Sequence, residues 1–203
     1  MILSIFGLPV VIIKNNDINT LFSNELHDEV MKHLMLPENK DVSHPYARGG
    51  RVCSTDLNFT LTSDKAKQFN ILFNILLDTL KQTGIKYANL YSDATDLQFD
   101  NMWINLTYAG CETRNHWDRY TEEDEKTLIM LFYPKAPLGG SNLVFIHNSN
   151  YGDWPSEYQD SDVLRLAIEE GDIVIMDNTI LHAVDAHMPS EPRMCIATEF
   201  KFV

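Results

Sequence analysis

His116 and Asp118, in Asn115-His116-Trp117-Asp118-Arg119-Tyr120 just past the middle of the chain, are the residues whose types and spacing could do chemistry. In an extended segment, side chains two apart lie on the same face, so a strand carrying His-x-Asp aims an imidazole and a carboxylate at one point. That point suits a divalent ion with open coordination positions, provided a third ligand arrives from elsewhere. The pair by itself is weak evidence: with 7 His and 29 acidic residues in 203, roughly one His-x-acid triplet is expected by chance. His27-Asp28-Glu29 is a second match, set in a helical pattern, and carries no site expectation.

Support comes from downstream. In the stretch from Glu170 to His182, an acidic turn with Gly171 leads into the apolar run Ile173–Met176, and a short polar connection then delivers a histidine. Arg193 follows on the next expected strand, and two adjacent antiparallel strands would bring His182 and Arg193 to one cavity. Each residue also has an ordinary explanation. His116 and Asp118 could be a hydrogen-bonded pair at a strand end, His182 a satisfied core histidine, and Arg193 a surface ion-pair partner. Their joint occurrence in this order is what favours a metal site.

The elements that must position these residues are legible from periodicity. Short β-branched runs at 2–6 and 10–13 flank Gly7-Leu8-Pro9 and predict two strands around a bend. Leu21, Phe22, Leu26, Val30, Leu34 and Met35 predict an amphipathic helix that ends before Pro37. Residues 37–60 are polar and rich in turn formers, which predicts mostly loop, with His44, Tyr46, Arg48 and Arg51 as a solvated stretch or a substrate-side wall. Ser63 or Asp64 caps a second helix with an apolar stripe from Phe69 to Leu80, and Gly84 is its expected C′ stop. Strands are expected at 99–108, 126–133, 142–146, 163–168, 172–176, 182–186 and 194–202. Strands in runs without intervening helices predict a mainly β fold with flanking helices, a double-sheet jelly roll.

Length and composition bound the rest. The 203 residues, 44% hydrophobic, predict a single domain over 1–203, with helical support over about 17–84 and a jelly-roll core over about 99–203. The net charge of -13 and the lack of any Lys/Arg cluster argue against a nucleic acid polymer as partner. Cys53, Cys111 and Cys195 are odd in number and widely spaced, which predicts a reducing compartment. The apolar start lacks a basic n-region, and no apolar run reaches membrane-spanning length. A cytoplasmic protein with no membrane partner is expected.

Taken together, His116-x-Asp118, His182 and Arg193 resemble the non-haem Fe(II)/2-oxoglutarate-dependent oxygenases, over roughly residues 99–203. The Gly-Asp-apolar lead into His182 is similar to that family's, and Gly139-Gly140-Ser141-Asn142-Leu143 resembles a turn of its prolyl-hydroxylase-like branch. The resemblance implies a double-stranded β-helix (a cupin-like jelly roll) with His116, Asp118 and His182 as iron ligands and Arg193 on the far carboxylate of 2-oxoglutarate. It implies Fe(II) as cofactor, 2-oxoglutarate and O2 as co-substrates, and a hydroxylase acting on a small-molecule or peptide substrate with release of succinate and CO2. Tyr108 and Asn105 are implied as further 2-oxoglutarate contacts, and Tyr133 as a hydroxyl from another strand. Many members carry Ser or Thr two residues after the Arg; Cys195 stands there in this chain.

His187 is a rival third ligand, less favoured because it lacks the apolar lead-in, and His147 is expected to be structural. Trp117 is expected to point away from the metal and pack in the wall. Glu122-Glu123-Asp124-Glu125 predicts a solvated turn, or a lid attracting a cationic substrate group. The aromatic loop from Tyr151 to Tyr158 is the first expectation for substrate selection. A second reading keeps the jelly roll without redox chemistry: a cupin-like metal- or sugar-binding protein, which needs no Arg193.

Overall fold

The structure, a computed structural model, describes residues 1–14, 28, 47–48, 52–56, 64–118, 126–147 and 163–203, with the backbone alone at 47–48, 52–56 and 64–73. Among the described residues, twelve strands lie in two antiparallel sheets: β1 Ile2–Ile5, β2 Leu8–Ile13, β3 Ala47–Arg48, β4 Val52–Asp56, β5 Leu97–Thr107, β6 Glu112–His116, β7 Thr127–Lys135, β8 Leu143–Ile146, β9 Val163–Leu166, β10 Ile173–Asp177, β11 His182–Val184 and β12 Arg193–Phe202. The larger sheet runs β1-β2-β10-β7-β12-β5-β4, the smaller β3-β6-β11-β8-β9. This is the expected jelly roll.

The N-terminal segment is wired into the larger sheet. Strand β2 pairs with β10, and its Lys14 sits 2.6 Å from the fully buried Asp172 carboxylate. Within 37–60, expected to be mostly loop, the described residues form two short strands: β4 pairs with β5 and β3 pairs with β6. Their short polar sequences give no apolar alternation; the neighbouring strand's free hydrogen-bonding edge supplies the pairing that propensity lacks. Of the helix expected before Pro37, only Asp28 is described, in helical conformation; the remainder lies outside the described residues.

Helix α1, Asp64–Ile85, covers one face of the larger sheet. Its Leu76 and Leu80 are fully buried against Ile104, Leu106, Phe132 and Ile196. The opposite face packs on the smaller sheet through Leu131, Tyr133, Met176 and Ala197 against Leu143 and Phe145. A sheet buried on both faces explains why β7 reads as an unbroken apolar run rather than an alternating one. Gly84 is not the expected C′ stop. It lies inside α1, where an added Cβ would come within 2.9 Å of Leu97 Cδ1 and Met130 Sδ, so close approach of helix and sheet demands it.

Among the connections that cross between the sheets, those from β10 to β11 and from β11 to β12 decide where the candidate ligands fall. From β10, Asp177 Oδ1 accepts the Thr179 N–H at 2.8 Å and the Ile180 N–H bonds the Asp177 carbonyl, forming a tight turn that passes the chain to β11. From β11 the chain crosses back to β12, so His182 and Arg193 lie on strands of different sheets and not on adjacent ones as the sequence suggested. The return is pinned by the fully buried His187. Its Nε2–H donates to the Glu191 carbonyl at 2.7 Å, its Nδ1 accepts the Ser141 N–H at 3.3 Å, and its backbone bonds Gly110 and Cys111. Both ring nitrogens are engaged, which makes His187 a satisfied core histidine. His187→Ala would strand two buried polar groups at about 1–3 kcal/mol each. Guanidinium denaturation should show a loss of a few kcal/mol, with Fe(II) stoichiometry unchanged.

Candidate active site

His116 ends β6 and His182 begins β11, and the two are direct cross-strand partners in the smaller sheet. Their rings lie 4.4 Å apart between centroids, tilted by 50°. Asp118 sits just past the end of β6, so the alternation expected of a strand does not by itself set its direction. It nevertheless converges: Asp118 Oδ1 is 4.0 Å from His116 Nε2 and Asp118 Oδ2 is 3.7 Å from His182 Nε2. One ligand atom from each residue fits within 4.8 Å of the others, spacing suited to a shared cation.

Hydrogen bonding prepares the imidazoles for this. His116 Nδ1 lies 2.8 Å from the Arg114 carbonyl and His182 Nδ1 lies 3.0 Å from the Ile180 carbonyl. A carbonyl only accepts, so each Nδ1 carries a proton, and a ring with no second proton keeps its Nε2 lone pair for the common point. Each backbone carbonyl two residues upstream thus fixes a tautomer, as outer partners of metal-binding histidines do. Burial lowers His182 to a pKa of about 4, which holds it neutral. Burial raises Asp118 to about 6, against the opposing pull of His116. Its Oδ2 is buried with no hydrogen-bond partner. Two imidazole nitrogens and one carboxylate oxygen without a hydrogen-bond partner match the two-histidine, one-carboxylate donor set that could hold a divalent metal with positions left open.

Arg193 starts β12 and is 2% exposed. Its guanidinium lies 4.6 Å from the centre of the Tyr133 ring, its Nε has no hydrogen-bond partner, and no carboxylate pairs with it among the described residues. The Tyr133 hydroxyl, beside the Cys195 thiol, also lacks a partner of hydrogen-bonding geometry. Burial is the main force holding the Tyr133 phenol well above its ordinary range and pushing the Cys195 thiol to about 11. Tyr133 and Cys195 belong to the cluster between the sheets. Arg193 and the Tyr133 hydroxyl are therefore buried donors with no described carboxylate bonded to them.

Asn105 and Tyr108 part company. Asn105 is the cross-strand partner of Cys195, which puts it on the face shared with Arg193. Tyr108 follows β5 and packs against the cluster on the α1 side. Trp117 is 38% exposed, not packed in the wall: it follows the last residue of β6, past the described strand pairing. His147 is exposed and meets the Phe6 ring at 4.8 Å. Arg48 lies on β3; His44, Tyr46, Arg51, the run 122–125 and the loop 151–158 fall outside the described residues. Sequence reasoning missed Glu199 and Thr127, which bond one another. Counting in twos along β12 from Arg193 reaches Glu199 and was the available signal.

No protein-family profile and no curated protein matches the sequence. Solved structures do. A prolyl-4-hydroxylase from Pseudomonas putida superposes with a TM-score of 0.58 at 12% identity, covering 96% of this chain and 92% of that one. The collagen prolyl hydroxylase of Paramecium Bursaria Chlorella virus-1, in complex with 2OG, gives 0.55 at 12%, covering 96% of each chain. The carbocyclase SnoK from nogalamycin biosynthesis gives 0.62 at 14%, covering 94% of this chain and 79% of that one. The chain has the double-stranded β-helix (jelly-roll) fold of these neighbours.

Proposed function

We propose that the protein is an Fe(II)- and 2-oxoglutarate-dependent oxygenase that hydroxylates an amino acid, a peptidyl side chain or another small metabolite. The observation that carries this reading is Arg193: a buried guanidinium, unpaired with any described carboxylate, in the space between the sheets that also holds the triad. A cupin that only binds a metal or a sugar has no use for such a charge, because an unpaired buried cation is costly. A dicarboxylate co-substrate supplies the missing anion. The structural neighbours are compatible with the substrate kinds, one being a Trichoplax adhaerens prolyl hydroxylase in complex with a hypoxia inducible factor peptide fragment.

On this reading His116, Asp118 and His182 hold the iron. Bound there, Fe(II) supplies the redox chemistry with O2 that couples oxidative decarboxylation of 2-oxoglutarate to succinate and CO2 with oxidation of a substrate C–H bond. The protein's own contribution is positioning. Arg193 presents its planar fork to the distal carboxylate, a geometry suited to paired charge-assisted bonds. Tyr133 offers its hydroxyl beside that fork, and Asn105, on the same face, is a further candidate contact. Tyr108 is retained as a candidate without that support. Cys195, in place of a hydroxyl residue, leaves Tyr133 as the neutral donor next to Arg193. The apolar walls of Leu131, Phe145 and Met176 keep water from the reacting atoms.

Three measurements bear on this. Anaerobic addition of Fe(II) and 2-oxoglutarate should produce a weak visible charge-transfer band, and admitting O2 should release succinate; no band and no succinate would sink the assignment. Arg193→Met should raise the KM for 2-oxoglutarate by about a hundredfold while Fe(II) still binds, the loss expected for charge-assisted hydrogen bonds. Asp118→Asn should separate function from stability. Burial holds the folded Asp118 pKa near 6, above the ordinary 3.8, so its charge opposes folding above pH 6 and that opposition fades as pH falls towards 3.8. The metal-free Asn variant should therefore be more stable at neutral pH, by about 1–3 kcal/mol, and lose that advantage in acid, while failing to bind Fe(II).

A further inference from the structure

The strand that begins with Arg193 carries a charge of opposite sign at its other end. Cys195 and Ala197 of β12 face the space between the sheets, whereas Met194, Ile196 and Phe200 face α1. Glu199 continues the first set. It stands opposite Ile129, itself in the inter-sheet cluster, and opposite Asn101 of β5. Six residues of extended chain set Glu199 about 20 Å along the strand from Arg193.

That separation matters, because 2-oxoglutarate is far shorter than 20 Å and is itself anionic. A co-substrate held at Arg193 neither reaches Glu199 nor is welcome there. The charge of Asp118 acts on both Cys195 and Glu199. Glu199 is half-buried, and its one described bond is the hydroxyl proton of Thr127, donated to Oε1. Of its charged neighbours, Lys201 attracts Glu199 but is bonded to Asp100 at 2.9 Å, while both Asp100 and Asp118 repel the Glu199 charge. Burial is the largest influence on Glu199, raising its pKa, and the Thr127 bond opposes it. The result is an oriented carboxylate, desolvated in part, on the inner face of the sheet, whose second oxygen bonds no other described residue. The overall charge of -13 draws cations towards such a site.

We propose that Glu199, oriented by Thr127, is the specificity-determining carboxylate for the primary substrate and receives an amine or guanidine group of it. This rests on the oxygenase reading above and narrows its substrates to cationic amino acids, or peptides presenting lysine or arginine. Thr127 is a positioning residue: it holds one oxygen of Glu199 and leaves the other to the substrate.

The test is calorimetry on the Fe(II)-loaded protein kept anaerobic. 2-Oxoglutarate is titrated first, then L-arginine against its neutral isostere L-citrulline and L-lysine against L-norleucine. At least one cationic probe should bind the wild type about tenfold more tightly than its isostere, the size of one charge-assisted bond. Glu199→Gln keeps the shape and the Thr127 contact and should bring that ratio close to one, while Glu199→Asp should retain part of it. Equal or absent binding of the charged and neutral probes by the wild type, or a ratio that survives in Glu199→Gln, overturns the proposal and leaves the oxygenase reading intact. A protein that takes up no 2-oxoglutarate in the first titration overturns both.

Discussion

The molecule is organised around a cost: two packed sheets enclose polar groups that water cannot reach and that the protein itself does not fully satisfy. Asp118 Oδ2, Arg193 Nε and the Tyr133 hydroxyl are all buried without hydrogen-bond partners. Each such group opposes folding by about 1–3 kcal/mol, more when charged. The larger sheet offsets this by burying both of its faces, one against α1 and one against the smaller sheet. The stability that fold gains from Phe132, Leu106 and their neighbours is what allows an unsatisfied interior to persist. Incomplete satisfaction on one inner surface is the physical mark of a site built for ligands.

Convergence of the triad is a matter of topology more than of local sequence. His116 and His182 are held by direct pairing of β6 with β11, and both imidazoles take their tautomer from the carbonyl two residues upstream. Arg193 enters from the other sheet after the chain crosses the gap twice. The crossover into β11 is set by the Asp177 turn, and the return is set by His187, whose ring nitrogens and backbone bind loops on either side. His187 thus serves the site without belonging to it. The proposed metal ligands converge from the smaller sheet and Arg193 enters from the larger one, so the proposed site exists only when both pack.

Much of this was legible in the chain. The jelly roll followed from strands in runs, the apolar stretch 126–133 among them. The order of His116, Asp118 and His182 picked out three residues whose side chains the fold brings within 4.8 Å of one another. What misled was reading neighbours in sequence as neighbours in the sheet: β11 and β12 are consecutive yet lie in different sheets. Strands β3 and β4 were invisible because pairing, not propensity, makes them. Gly84 read as a helix stop, whereas it is a point of contact where any side chain would meet Leu97 and Met130. Trp117 read as wall and is exposed, since β6 ends one residue earlier.

By itself the sequence determined which chemistries were available, because residue types carry pKa, charge and ligand preference wherever they lie. It also determined the fold class, because hydrophobic periodicity is a local record of which faces are buried. Only the tertiary structure decided that Asp118 points at His182, that Asn105 and not Tyr108 shares a face with Arg193, and that Glu199 stands at the opposite pole. Those are relations between residues distant in the chain. They depend on register, on which sheet a strand joins and on where each strand ends, and one residue of slip in any of them would turn the side chain to the other face.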